Sequence, residues 1–127
     1  MSAPPAERLA TPRIQNLSPH PIVVRGDDGV EHRFEPSGQV ARLGEKVRSS
    51  TMVEGVTVAD VELDRRAGLP EPQVGVRYLV SLAVALAHLQ DNRDDLLTPD
   101  TSAESAIRDD AGRIVAVRRL RHVVSPA

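Results

Sequence analysis

The chain has 127 residues, 40% of them hydrophobic and 27% charged, with 16 basic against 18 acidic side chains. A chain of this length can bury a core as one domain, and its lack of cysteine excludes disulfide frameworks, thiolate metal sites and cysteine nucleophiles. A net charge of −2 with only 2% aromatic residues argues against binding to long nucleic acid, which proteins hold through basic surfaces and stacked aromatic rings.

The sequence shows no membrane span and no secretory leader. The longest apolar run, from Tyr78 to Ala87, is about half of the ~20 residues that a bilayer span requires. The first residues lack the basic start and the apolar stretch of a leader peptide. These observations, together with the absence of cysteine, predict a cytoplasmic protein without a membrane partner.

Residues 1–12 are rich in proline, small and charged side chains and have no sustained hydrophobic period. They predict a flexible N-terminal arm ahead of a single β-rich domain over residues 13–124. In that domain residues 21–25 are apolar and β-branched, and the turn signal Gly26-Asp27-Asp28-Gly29 leads into residues 30–34, where apolar and charged side chains alternate. This pattern predicts a β-hairpin.

Residues 47–53 and 56–63 flank the two-residue turn signal Glu54-Gly55 and predict a second hairpin. The apolar phase of its second strand shifts near Ala59-Asp60, as a β-bulge would produce. Ahead of this hairpin, residues 39–43 predict the start of another strand. Strands therefore dominate the first half of the chain.

The second half predicts one helix between two long loops. Residues 64–75 contain several glycines and prolines and predict a loop, whereas residues 76–80 predict a buried strand. Ser81 is placed to cap a short helix over residues 82–90, which is apolar on nearly every side, as buried helices are. A second polar loop is predicted over residues 91–105.

Residues 106–109 and 113–120 predict a terminal hairpin, with Gly112 in the left-handed position that follows a type I turn. The sequence contains no internal repeat. The predicted fold class is therefore α+β: a mostly antiparallel sheet built from hairpins, with one short buried helix and a flexible N-terminal arm.

The four histidines do not predict a metal site. His20 and His32 fall on non-opposed rungs of the first hairpin and lack a third ligand, whereas zinc requires three or four ligands in a tetrahedral set. His88, on the apolar helix, is better explained as a satisfied core or interface histidine. We therefore predict neither a metal nor another cofactor.

Nothing in the sequence predicts catalysis. No serine or threonine stands in a recognised nucleophile motif, and the paired carboxylates Asp94-Asp95 and Asp109-Asp110 fall in loops, where aspartate is favoured for its turn-forming hydrogen bonds. General acid–base chemistry by His20 or His32 with a distant carboxylate is the enzymatic alternative. We predict binding without turnover.

Polar side chains near the predicted strand-to-helix junction and in the terminal hairpin are the candidates for ligand binding. The backbone N–H groups after Ser81 could hold an anion, although an ordinary helix cap is the simpler explanation for this residue. The remaining candidates are Asn92, Arg93, Asp100, Arg108, Arg113 and Arg118. For the arginines the alternative is ion pairing with the acidic residues of the chain.

Several segments together resemble a family of short proteins common in phage and prophage genomes. They cover nearly the whole chain after the arm: Asn16-Leu17-Ser18-Pro19-His20, Pro36-Ser37-Gly38 with Val40-Ala41-Arg42, Gly68-Leu69-Pro70-Glu71-Pro72, Tyr78-Leu79-Val80-Ser81, Arg93-Asp94-Asp95-Leu96 with Pro99-Asp100, and Arg108-Asp109-Asp110-Ala111-Gly112-Arg113-Ile114-Val115. The resemblance implies a virus or prophage of a GC-rich bacterium as the source, and the infected or lysogenic host cell as the place of action.

In size and sheet-rich layout the chain is similar to the Thoeris anti-defence sponges. As a family these assemble into oligomers and sequester cyclic ADP-ribose isomers, and in some members cyclic oligonucleotides, without cleaving them. The similarity implies a homo-oligomer, with the apolar helix in its interface, that binds a cyclic nucleotide. Sponges commonly grip adenine with an aromatic side chain, which points to Tyr78, since Phe34 is the only other aromatic residue.

Three classes of function remain open. A nucleotide sponge requires Arg, Asn and Asp side chains that converge at a subunit boundary. A non-catalytic phage structural or interaction protein requires the same fold with its arginines all paired internally and no pocket. A small enzyme requires an acid–base pair with perturbed pKa values in a cleft.

Overall fold

The computed structural model of the protein describes residues 12–126, so the arm predicted over residues 1–12 falls outside the described residues except for Pro12. Within this range the chain forms ten strands and one helix, which confirms the β-rich α+β class. In chain order the elements are β1 (Arg13–Asn16), β2 (Ile22–Arg25), β3 (Glu31–Phe34), β4 (Gly44–Val53), β5 (Val56–Asp64), β6 (Val76–Leu79), α1 (Leu82–Ala87), β7 (Leu96–Pro99), β8 (Ala106–Arg108), β9 (Ile114–Val117) and β10 (Leu120–Arg121).

Two four-stranded sheets and a separate two-stranded ribbon make up the described chain. The first sheet has the strand order β1-β6-β7-β10 and the second the order β3-β2-β9-β8, whereas β4 and β5 pair with each other alone. The strands of each hairpin are antiparallel, as predicted. Parallel pairing of β1 with β6, β6 with β7 and β2 with β9 was not predicted, because it joins strands that are distant in sequence.

The three predicted hairpins are confirmed as β2–β3, β4–β5 and β8–β9. Gly112 lies in the left-handed region at φ 82°, as expected. Glu54 and Gly55 both have positive φ, 51° and 80°, the type I′ geometry that suits a twisted ribbon. The predicted bulge occurs at the level of Asp60, but the extra residue is Arg48 on the opposite strand.

Two predictions for the loops and strands were wrong. The predicted loop over residues 91–105 contains β7, a buried strand that pairs with both β6 and β10. Its four residues are flanked by polar side chains and end at Pro99, so no alternation is visible in the sequence. Residues 39–43 belong to no strand, and β4 begins at Gly44.

The predicted helix is shorter and less buried than expected. It ends at Ala87 instead of Gln90, and the Ser81 hydroxyl caps it by accepting a hydrogen bond from the N–H of Val84 at 3.2 Å. Only one face is covered, because Leu82 and Leu86 are 42% and 47% exposed. An apolar composition on every side therefore did not correspond to burial on every side.

The core lies between the first sheet and α1. Its buried members are Leu17, Ala41, Tyr78, Val80, Val84, Ala85 and Leu96. Each fully buried leucine or valine among them stabilises the folded state by roughly 1.5–3 kcal/mol relative to an exposed one. The ribbon contributes no residue to this core.

Asn16 gives the segment Asn16-Leu17-Ser18-Pro19-His20 a structural role. Its buried amide donates to the carbonyl oxygens of His20 at 2.8 Å and Phe34 at 2.9 Å, and its side-chain oxygen accepts from the N–H and the hydroxyl of Ser18. These bonds satisfy the buried side chain and join the end of β1 to the end of β3. A bridge between Asn16 and Pro36 continues the same connection.

Candidate functional site

The ribbon of β4 and β5 is exposed along its whole length, with Gly44 at its root the one partly buried residue. Half of the large apolar side chains that are exposed on the described residues belong to it: Val47, Met52, Val53, Val56, Val58, Val61 and Leu63. An isolated two-stranded hairpin is at best marginally stable in water, and clustered exposed apolar side chains mark interaction sites. The ribbon is therefore a candidate interaction site.

Register and the bulge sort the apolar side chains of the ribbon by face. Near the root, Val47 and Val61 lie directly opposite each other and share a face. Beyond the bulge the aliphatic side chains of Val53, Val56 and Val58 lie on the other face. Apolar surface is thus available from root to tip, on one face near the root and on the other near the tip.

Negative charge accompanies this apolar surface. Arg48 Nη1 donates to Glu62 Oε2 at 2.9 Å across the ribbon. Asp60 and Asp64 accept hydrogen bonds only from uncharged donors, a serine hydroxyl at 2.8 Å and a backbone N–H at 3.1 Å. Among the described residues neither aspartate forms an ion pair. The cations of the ribbon are Lys46, which lies opposite Glu62, and Arg48, so the ribbon as a whole keeps a net negative charge.

The root of the ribbon is fastened to the helix. Arg65, directly after β5, donates from Nη1 to the carbonyl oxygen of Ala87 at 3.0 Å and to Asp91 Oδ2 at 2.8 Å. The buried ring of His88 lies 2.8 Å from the same carboxylate oxygen through Nδ1 and 2.6 Å from the carbonyl oxygen of Arg65 through Nε2. His88 is thus the satisfied buried histidine that the sequence predicts.

The hydrogen bond from Arg65 is the main cause that holds the pKa of Asp91 below its ordinary value, and His88 lowers it further. The carboxylate form is therefore the one that the root favours. One ionised side chain bonds both to the residue after β5 and to the residue after α1. This arrangement fixes where the ribbon leaves the rest of the protein.

Two of the predicted ligand-binding residues are occupied by the fold itself. Tyr78 is fully buried and its hydroxyl donates to the carbonyl oxygen of Glu71 at 3.3 Å, so its ring has no surface to offer to adenine. The hydroxyl of Ser81 caps the six-residue α1. The structure places both residues in supporting roles.

Arg93 forms three hydrogen bonds within the fold. Its Nε and Nη2 bond the two carboxylate oxygens of Asp95 at 2.9 and 3.0 Å, and Nη2 also donates to the carbonyl oxygen of Pro70 at 3.0 Å. The bond to Asp95 raises the pKa of Arg93 above its ordinary value. Arg93 and its neighbour Asn92 line two open pockets of about 280 and 420 Å³, which also share His88.

The buried side chain of Asp100, the residue directly after β7, accepts hydrogen bonds. Its carboxylate takes hydrogen bonds from Arg119 Nε at 2.6 Å and from the backbone N–H of Ser102 at 3.0 Å. These two donors, Arg119 first, lower the pKa of Asp100 to about 2. The residue joins β7 to the segment before β10 and is not presented to a ligand.

The other predicted arginines lie on or just after the terminal hairpin. Arg108 donates to the carbonyl oxygen of Gly112 at 2.6 Å, and the highly exposed Arg113 contacts Asp109 Oδ2 at 3.2 Å. Arg118 is exposed, and its side chain forms no ion pair within the described part of the chain. None of these three lines the pockets beside Asn92 and Arg93, so the predicted ligand residues do not converge.

The exposure of the ribbon is the feature that sequence reasoning missed. The signal was present in the shift of apolar phase near Asp60, which leaves valines on both faces of one hairpin. A hairpin with one face against a core keeps a single apolar phase. The shift was explained by a bulge, which is confirmed, but not followed to its consequence for burial.

Comparison with protein-family models, with curated proteins and with solved structures finds no match for this chain. Between residues 12 and 126, no three histidine, aspartate or glutamate side chains are placed to hold a metal ion. In the same range no helix has the length and apolar character needed to cross a bilayer. The interpretation of the site therefore depends on its geometry.

Proposed function

We propose that this chain is a non-catalytic structural protein that assembles with copies of itself through the ribbon. It would belong to the structural or interaction class that the resemblance to phage and prophage proteins leaves open. The carrying observation is the exposure of seven large apolar side chains on two strands that pair only with each other in the described chain. Burial of such surface in an assembly contributes about 25 cal/mol per Å² removed from water.

The fastening of the ribbon supports this proposal. The bonds of Arg65 and His88 hold its root, and the type I′ turn at Glu54 and Gly55 closes its tip. A surface that is already ordered loses less conformational entropy when it binds. The exposed Leu82 and Leu86 offer a smaller second contact on α1, in keeping with the prediction that the helix takes part in a subunit interface.

The engagement of the predicted ligand residues favours assembly over nucleotide sequestration. Tyr78 is buried and Ser81 caps the helix. Arg93 is hydrogen-bonded to Asp95, and Asp100 is hydrogen-bonded to Arg119. The internal pairing of Arg93 and Asp100 fits a structural module, whereas Arg108 and Arg118, which form no ion pair with a described residue, and the two open pockets do not. The cyclic-nucleotide function remains an expectation from the resemblance.

The test is sedimentation velocity on the full chain over a wide range of concentrations. We expect species heavier than the 13.7 kDa chain, and we expect the variant Val56→Ser/Val58→Ser, on the ribbon face that also carries Asp60 and Asp64, to shift the population toward monomer. Val74→Ser, another exposed valine outside the ribbon, is the matched control and should assemble as the wild type does. A wild-type chain that stays monomeric at every concentration would overturn the proposal.

A further inference from the structure

We propose that the ribbon of one copy docks on the β8–β9 hairpin of a second copy, so that the chains join head to tail. This inference rests on the proposed self-assembly and identifies the surface that receives the ribbon. Two independent features carry it: the sign of the charge on each surface, and an open strand edge beside exposed apolar side chains.

The ribbon supplies the negative partner. β5 contains three acidic residues and no basic one, and only Glu62 is paired with a cation among the residues described. Asp60 and Asp64 alternate along the same face of β5, because both are an even number of positions from Glu62. Val58 continues that face toward the tip, so an acidic stretch and an apolar stretch follow each other.

The β8–β9 hairpin supplies an open edge. β8 is the last strand of the second sheet, and in the described chain its only strand neighbour is β9. The outer N–H and C=O groups of an edge strand can pair with a strand from another chain. Beside this edge Ile114 and Val115 are 39% and 48% exposed, and Val115 is the extra residue of a bulge opposite β8.

The same hairpin supplies the positive partner. Residues 106–118 carry three arginines against two aspartates, and Arg113 is paired with Asp109. Arg108 donates to an uncharged carbonyl oxygen, and Arg118 forms no ion pair with a described residue. Arg108 lies opposite Ile114 at the turn end of the hairpin, and Arg118 follows β9 at its other end; both side chains are exposed, which gives the hairpin the charge opposite to that of the ribbon.

The charge pattern also disfavours contact between two ribbons. A symmetric pairing through β5 would bring Asp60 and Asp64 of both copies together, and like charges opposite each other in a sheet are destabilising. A head-to-tail contact uses two different patches and avoids this repulsion. Symmetric pairing of two ribbons through β5 is therefore disfavoured, although each ribbon is apolar.

Charge reversal tests the inference in the full chain. One variant carries Asp60→Lys/Asp64→Lys, the second carries Arg108→Glu/Arg118→Glu, and a third combines all four substitutions. Because each double variant places like charges on both surfaces, we expect its self-association constant to fall about tenfold or more, and the combined variant to recover most of that loss. Arg77→Glu, an exposed arginine on β6, is the control and should assemble normally.

The possible results separate this inference from the proposed function. Circular dichroism and thermal melting first establish that each variant is folded. If the hairpin variant Arg108→Glu/Arg118→Glu assembles as the wild type does, or if the combined variant is no better than Asp60→Lys/Asp64→Lys alone, the docking surface is wrong while self-assembly stands. If the wild type does not assemble at all, the proposed function and this inference fail together.

Discussion

The guanidinium of Arg65 lies 2.8 Å from the carboxylate of Asp91, and this contact joins the ribbon to the rest of the fold where no strand pairing does so. Arg65 follows the last residue of β5, and Asp91 stands shortly after the end of α1. The same Asp91 oxygen also contacts the buried ring of His88. One carboxylate therefore connects an exposed ion pair to a buried histidine.

We expect Asp91→Ala to lower the free energy of unfolding by about 1–3 kcal/mol, the usual effect of leaving a buried polar group without its partner. The exposed ion pair with Arg65 adds little to this, since such pairs are worth roughly 0–1 kcal/mol. Urea denaturation measures the change. Asp94→Ala, an exposed aspartate in the same loop, should stay within about 0.5 kcal/mol of the wild type. Equal effects of the two variants would contradict a role for His88 at the root.

The lowered pKa of Asp100 predicts that the folded protein loses stability in acid. Its pKa in the folded protein is about 2, below the ordinary 3.8, so the unfolded chain takes up this proton more readily than the folded one. The stability that Asp100 contributes is therefore present above about pH 4 and is lost as the pH falls toward 2. Urea denaturation across this range should show a shallower decline for Asp100→Asn than for the wild type.

The exposed Asp110 is the control for this pH dependence. It lies in the β8–β9 turn and its side chain forms no hydrogen bond or ion pair with a described residue, so Asp110→Asn should follow the wild-type curve. If Asp100→Asn declines as steeply as the wild type between about pH 4 and pH 2, the bond from Arg119 does not govern acid stability.

Local patterns predicted the elements whose causes are local. The turn at Glu54 and Gly55, the capping of the helix by Ser81 and the left-handed Gly112 all follow from residue type and spacing, and all are confirmed. The parallel pairing of β1 with β6 depends on contacts between residues about sixty positions apart, for which short-range periodicity holds no signal. The buried β7 was missed because its four residues, flanked by polar side chains and ending at Pro99, show no alternation.

The candidate site was predictable only in part. Arg93 and Asp100 were recognised as candidate ligand-binding residues near the predicted strand-to-helix junction, but pairing partners such as Pro70 and Arg119 are distant in sequence and only the fold brings them close. The chemistry of an arginine is the same whether it holds a ligand or an aspartate. Its role therefore depends on tertiary contacts that composition does not contain.

Replacement of Gly68 by alanine is expected to destabilise the fold strongly, although it adds only one methyl group. Its φ is 73°, a region that disfavours side chains, and a Cβ at this position would overlap the carbonyl oxygen of Val40. We expect Gly68→Ala to lower the free energy of unfolding by about 2 kcal/mol or more, through strain and displacement of the segment that contributes Ala41 to the core. Gly29→Ala has a similar φ of 80° but open space around it, and thermal melting should show a smaller loss for this control.

Substitution of Arg93 and of Arg113 by alanine distinguishes an arginine that stabilises the fold from one that is free to bind a ligand. Arg93 is 13% exposed and bonded to Asp95, which is itself buried, whereas Arg113 is 80% exposed. Removal of one partner from a buried pair costs about 3–5 kcal/mol, so Arg93→Ala should strongly destabilise the fold. Arg113→Ala should change the free energy of unfolding by less than about 0.5 kcal/mol.

Urea denaturation of both variants gives these values, and calorimetric titration with a panel of cyclic nucleotides gives the second readout. On the proposed structural role neither the wild type nor Arg113→Ala binds a nucleotide. Intact nucleotide released from the heat-denatured wild type, with binding weakened in Arg113→Ala at unchanged stability, would instead establish the sponge function that the resemblance implies.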